Sequence, residues 1–147
     1  MQLATLAQPE DIFVLLIEDS SADATELTKS VLYGESLYNF QIIRKASLSD
    51  ALHFLKSTTV DVVLLDLNLP DAKELRAIEE VHSTHPELPI VVISGYSDMN
   101  IIHNALRGGA QEFLIKGECS GSVVRQSMYQ AIVRKKIERS YERGEKL

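Results

Sequence analysis

Along the chain, short and nearly uniform apolar runs alternate with stretches in which apolar residues recur every three or four positions. The first run, IFVLLIE (Ile12 to Glu18), is rich in branched and aromatic side chains. It is too short to bury a helical face, so it predicts a strand. Ser20 or Ser21 then caps a helix with apolar positions at Ala24, Leu27 and Val31, closed by Gly34. FQIIRKA (Phe40 to Ala46) predicts a second, more polar strand nearer a sheet edge. Ser47 caps the next helix, where Leu48, Ala51, Leu52 and Leu55 form an i, i+3, i+4, i+7 stripe. VDVVLLD (Val60 to Asp66) suits a central parallel strand covered on both faces. Beyond Pro70, Leu75, Ile78 and Val81 mark a third helix. LPIVVIS (Leu88 to Ser94) predicts a fourth strand, and a helix carrying Ile101, Ala105 and Leu106 ends at Gly108-Gly109. EFLIK (Glu112 to Lys116) is a fifth strand. The last helix, from about Ser122 to about Tyr141, sets Val124, Met128, Ala131 and Lys135 on one side.

Strands alternating with helices predict an α/β chain with right-handed crossovers and helices on both faces of the sheet. Five repeats make it (βα)5, a doubly wound parallel sheet in the flavodoxin-like strand order 2-1-3-4-5. The 147 residues suit one domain. One cysteine, Cys119, cannot form an internal disulfide or a structural zinc site, so a cytoplasmic setting is expected. The opening MQLATLAQPE lacks the basic and apolar regions of a secretory signal, and residues 1–10 read as an N-terminal arm. No apolar run approaches the ~20 residues of a membrane span. A formal charge of -6 argues against direct nucleic-acid binding through phosphates.

In such a sheet, ligands sit beyond the carboxyl ends of the strands, at the switch point in strand order. The residues that end strands therefore carry the information: Glu18-Asp19, Asp66, Ser94 and Lys116. Each has an ordinary alternative. Asp19 with Ser20 suits a helix cap, Asp66 an Asx turn, Ser94-Gly95 a turn, and Lys116 a solvated strand end. Taken together, four independent turns would rarely choose this set at the ends of adjacent strands. Three clustered carboxylates repel one another, and a divalent cation such as Mg²⁺ relieves the conflict. Lys116 and the Ser94 hydroxyl then suit a phosphoryl group beside the metal. Asp66, on the most buried strand, is the best nucleophile, since carboxylates form acyl phosphates.

Four phrases in order, LLIEDSSAD, VVLLDLNLPD, VVISGYSD and GGAQEFLIKG, resemble the receiver domain of two-component response regulators over about Phe13 to Ile137. The resemblance implies a phosphorylation-dependent signalling switch in which Asp66 accepts a phosphoryl group from a histidine kinase or histidine phosphotransfer protein. It implies Mg²⁺ or Mn²⁺ held by Asp19, Asp66 and the Asn68 backbone carbonyl, with Glu18 acting through water. Ser94 and Lys116 would contact phosphoryl oxygens, and Phe113 matches an aromatic switch that follows Ser94. Such a domain catalyses its own phosphorylation and dephosphorylation but is not a metabolic enzyme. Asn68 and Tyr96 hold positions that tune dephosphorylation. Glu74 and Gly117 depart from the family, which favours Gly and Pro there. The family often dimerises through its fourth helix, fifth strand and fifth helix, here about Asp98 to Tyr141. The phrases LNLPD, LIKGE and IVRKKIERS are similar to receivers placed ahead of sensor, kinase or diguanylate cyclase modules. That leaves residues 138–147 as a helical extension or linker towards an output domain beyond Leu147, after a receiver over 11–137.

Three other classes compete. A flavin- or nucleotide-binding protein would want phosphate-cradling groups after strand one, where Glu18-Asp19 stand instead, without a Gly-rich loop. An aspartyl-phosphate phosphatase needs a second Asp at the position of Asn68. A non-phosphorylated adaptor would have lost members of the set Asp19, Asp66, Ser94 and Lys116. In the tail, pairs such as Arg134/Glu138 and Glu142/Lys146 are expected on a solvated helix face, while Val133, Ile137 and Tyr141 form a second apolar stripe. Cys119 reads as inert, and His53, His82, His85 and His103 as surface residues without metal-ligand spacing.

Overall fold

The computed structural model describes residues 10–34, 36–73, 75–95 and 98–144. Strands β1 (Glu10–Ile17), β2 (Tyr38–Lys45), β3 (Val62–Leu65), β4 (Ile90–Ser94) and β5 (Glu112–Ile115) alternate with five helices. These are α1 (Ser21–Leu32), α2 (Leu48–Leu55), α3 (Arg76–Thr84), α4 (Met99–Arg107) and α5 (Gly121–Glu142). All pairings in the five-stranded sheet are parallel, in the order β2-β1-β3-β4-β5. This is the predicted doubly wound topology, with β1 and β3 at its centre.

Period-two alternation sorts the side chains of the central strands into two cores. Leu15, Ile17, Val63, Leu65 and Val92 pack with Ala51 and Leu55 of α2, Ile78 and Val81 of α3, and Ala105 of α4. Val14, Leu16, Val62, Leu64 and Val91 pack with Ala24 and Val31 of α1 and with Val124, Met128 and Ala131 of α5. Each buried Val, Leu, Ile or Met among them contributes roughly 1.5–3 kcal/mol. Strand β3 is shorter than its apolar run. Asp61 closes its start instead: its N–H donates to the Phe13 carbonyl, and its carboxylate accepts from the Phe13 N–H (both 2.8 Å).

Serine caps α1, α2 and α5 through Ser20, Ser47 and Ser120, and Asp98 caps α4. Helices α1 and α5 touch at backbone distance. A Cβ added to Gly121 would overlap the Ser30 carbonyl, and Arg125 Nη1 donates to the carbonyls of Ser30, Val31 and Tyr33 at the end of α1. Of the tail pairs, Arg134 bonds Glu112 of β5 (2.7 Å) rather than Glu138, because the edge of β5 offers a partner across the groove. Glu138 takes Gln111 and Lys135 instead. Val133, Ile137 and Tyr141 are exposed. His53 and His103 are exposed, but His82 and His85 are half-buried, His82 against Gly109 with its Nδ1 without a hydrogen-bond partner among the described residues. Residues 1–9 of the arm, Glu74, Tyr96 and Lys146 lie outside the described residues. Among those described, no helix is long and apolar enough to cross a membrane.

One small element had no periodic signal. Asn68–Leu69 and Ala72–Lys73 form an antiparallel ribbon around Pro70-Asp71, a pair well suited to a turn. From that turn the Asp71 carboxylate accepts from the N–H groups of Leu48 (2.9 Å) and Ser49 (2.8 Å), at the start of α2. Ser47 Oγ accepts from Asp50 N–H (3.1 Å), so three of the four free donors of α2 are satisfied. Partial burial opposes ionisation of Asp71, but the Ser49 and Leu48 N–H groups outweigh it and hold its pKa below the ordinary 3.8. Because the folded value is depressed, the stabilisation is fully present above the ordinary 3.8 and is lost as pH falls from there through the folded value. Asp71→Ala should cost about 1 kcal/mol in urea denaturation at neutral pH, typical of a lost cap, and the difference from wild type should shrink below pH 4.

Candidate phosphoacceptor site

The parallel ladders continue one residue past the strands, and this sets the acidic residues at the sheet's carboxyl edge. Glu18 N–H donates to the Lys45 carbonyl, and Asp66 N–H to the Ile17 carbonyl (both 3.0 Å). Lys116 N–H donates to the Ser94 carbonyl (2.8 Å), bringing the ends of β4 and β5 together. Glu18, Asp66 and Ser94 are 1%, 3% and 0% exposed, whereas Asp19 is exposed.

The Lys116 ammonium donates to Glu18 Oε1 (2.6 Å), Asp23 Oδ2 (2.8 Å) and Asp66 Oδ2 (2.9 Å). Burial works to lower its pKa, but these three bonds win and hold it above the usual lysine range. Glu18 behaves in the opposite sense. Burial first, then Asp66, push its carboxyl up to about 7, with Lys116 pulling the other way. Glu18 Oε2 also accepts from Ser20 N–H (3.3 Å), and Asp66 Oδ1 from Asn68 N–H (3.2 Å). Asp66 therefore does form the Asx turn that was its ordinary alternative, while also facing the lysine.

Glu18, Asp19 and Asp66 each offer an oxygen within 4.8 Å of the other two. Oxygens about 2.1 Å from a Mg²⁺ ion lie up to about 4.2 Å apart, so this all-carboxylate donor set fits a hard divalent cation after a small contraction. Asn68 is exposed, beside the cluster in sequence and on the small ribbon. Phe113 is partly buried and packs against the core shared with α2, α3 and α4. Gly117 takes a left-handed φ of +81° after Lys116, a conformation closed to the family's usual Pro, and no described peptide bond is cis.

Two residues escaped the sequence reading. Asp23 stands three positions after the Ser20 cap, where a capping pattern places an acid, but its carboxylate turns to Lys116. Arg44, at the end of β2, donates through Nε to the Glu18 carbonyl and through Nη2 to the Asp19 carbonyl (both 2.8 Å). Its fork fixes the turn that carries the acidic pair.

The doubly wound sheet thus gathers the Glu18, Asp19 and Asp66 carboxylates and the Lys116 ammonium beyond the carboxyl ends of its strands. Residues 14–126 match the response regulator receiver domain, and the chain belongs to that family, whose members are regulatory phosphoacceptors of two-component systems that bind a divalent metal. The chain is 35% identical to the regulatory protein LuxO of Vibrio vulnificus over 83 residues, 56% of this chain and 18% of LuxO. It is 34% identical to the transcriptional regulatory protein MalR of Bacillus subtilis over 106 residues, 71% of this chain and 44% of MalR. It thus spans less than half the length of these relatives. The receiver domain of a putative LuxO repressor protein from Vibrio parahaemolyticus shares the fold at a TM-score of 0.74 and 23% identity, covering 90% of this chain and 98% of that one. The Mn²⁺-bound form of the response regulator Rcp1 does so at 0.65 and 22%, covering 80% and 90%.

Addition of Mg²⁺ should raise the melting temperature, with a gain of about 2.7 kcal/mol at a hundredfold excess over the dissociation constant. Asp19→Asn, altering an exposed side chain, should melt like wild type without metal and lose most of the Mg²⁺ shift.

Proposed function

We propose that this chain is a phosphorylation-dependent switch in which Asp66 accepts a phosphoryl group from a histidine kinase or histidine phosphotransfer protein. The observation that carries the reading is the placement of Asp66, buried at the end of the central strand β3, 2.9 Å from the Lys116 ammonium and inside the Glu18–Asp19 cluster. One Asp66 oxygen attacks phosphorus, the phosphorus–donor bond breaks, and the donor leaves with its electron pair. Lys116 neutralises charge on the transferring group, and the Ser94 hydroxyl at the end of β4 donates to a phosphoryl oxygen. Mg²⁺ or Mn²⁺, held by Asp19, Asp66 and the Asn68 carbonyl with Glu18 through water, would supply further neutralisation of phosphoryl charge.

The output follows from what the site touches. Ser94 ends β4 and Lys116 follows β5, so a shift of Ser94 towards the phosphoryl group opens space beside Phe113 of β5. That repacking alters the α4–β5–α5 face, which meets a partner, a second copy or a linked output domain. We assign the receiver to residues 11–137, and residues 138–147 to a helical extension or linker. The domain promotes its own phosphorylation and dephosphorylation and turns over no metabolite.

Acetyl phosphate with Mg²⁺ should add one phosphoryl group to the intact chain, read by mass spectrometry, and Asp66→Asn should abolish it. Label persisting in that variant would place the phosphoryl group elsewhere. An unlabelled wild type would favour a receiver-shaped adaptor.

A further inference from the structure

The Lys116 ammonium has three N–H donors, and all three are occupied by carboxylates. A phosphoryl oxygen arriving at Asp66 therefore needs one of the three bonds to be given up. The three partners are not equivalent. Glu18 is 1% exposed, so bulk water cannot readily take the lysine's place there. Asp66 is the residue that receives the group. The Asp23 side chain is 47% exposed, so water replaces the lysine there at little cost.

We infer that Asp23 is a positioning residue for Lys116, a placeholder that holds the ammonium's third donor until a phosphoryl group displaces it. The inference rests on Asp66 being the phosphoacceptor. Asp23 lies in the first turn of α1 and Lys116 just beyond β5, so the pair ties two distant segments across the mouth of the site. Displacement breaks that tie. The Asp23 carboxylate also adds a fourth negative side chain beside the path of an anionic phosphodonor. Both effects act in one direction: Asp23 slows phosphorylation and weakens retention of a phosphoryl mimic. A carboxylate serving only the α1 dipole would affect stability and leave these two quantities alone.

The test uses the full chain as wild type, Asp23→Asn and Asp23→Ser, the last keeping a residue favoured near helix starts. Initial rates of acetyl phosphate labelling are measured at saturating Mg²⁺, and beryllofluoride affinity is measured by 19F NMR. Both variants should label about two- to fivefold faster and bind beryllofluoride tighter by a similar factor, the size expected of an exposed ion pair. The difference should narrow in high salt, and Asp23→Glu should return towards wild type. Folded variants with unchanged or slower labelling would overturn the placeholder role alone, with the wild type still labelled. A wild type that takes no label overturns the phosphoacceptor reading, and the placeholder role with it.

Discussion

Lys116 binds two carboxylates that have almost no contact with solvent, and the carboxyl edge of the sheet depends on that single positive charge. Glu18 and Asp66 are placed by the backbone ladders of β1 and β3, whose register is fixed by the apolar cores below. The sheet therefore delivers like charges to one spot whether or not they repel. An ammonium between them turns repulsion into a bonded cluster, while burial, and after it Asp66, still hold the Glu18 pKa up. Arg44 adds a second cation on the outer side, bound to carbonyls rather than carboxylates. It stiffens the turn without neutralising the interior of the site.

The strands were legible because their signal is local. Val62–Leu65 and Ile90–Ser94 are apolar on both faces, which few structures other than a buried parallel strand accommodate. Once the order was inferred, the ends of β1, β3, β4 and β5 had to meet, so the main cluster was legible too. The remainder depends on contacts without a periodic trace. The Asn68–Lys73 ribbon has two residues per strand, too few for any alternation. Asp23 and Lys116 are 93 residues apart in the chain, and Arg44 reaches 26 residues back to Glu18. His82 is half-buried because Gly109 lacks the side chain that would exclude it, a pairing between two elements that neither sequence segment announces.

Charge along α5 shows the same limit. Spacing on one helix suggested Arg134 with Glu138, yet both side chains turn to the start of β5. A partner on a neighbouring element is held by the fold in advance, whereas an i, i+4 pair on an exposed face must order two long side chains for a small return. The outcome is a set of polar ties between α5 and Gln111-Glu112, the segment that leads into Phe113.

The glycine at the start of α5 has a mechanical consequence. With Gly121 seated directly on the Ser30 carbonyl and Arg125 hooked over three carbonyls at the end of α1, the two helices are geared to each other. Sliding or rolling α5 would have to break these contacts or carry the end of α1 along. The apolar ridge of Val133, Ile137 and Tyr141, at the opposite end of a 22-residue rod, thus takes its heading from the helix that carries Asp23.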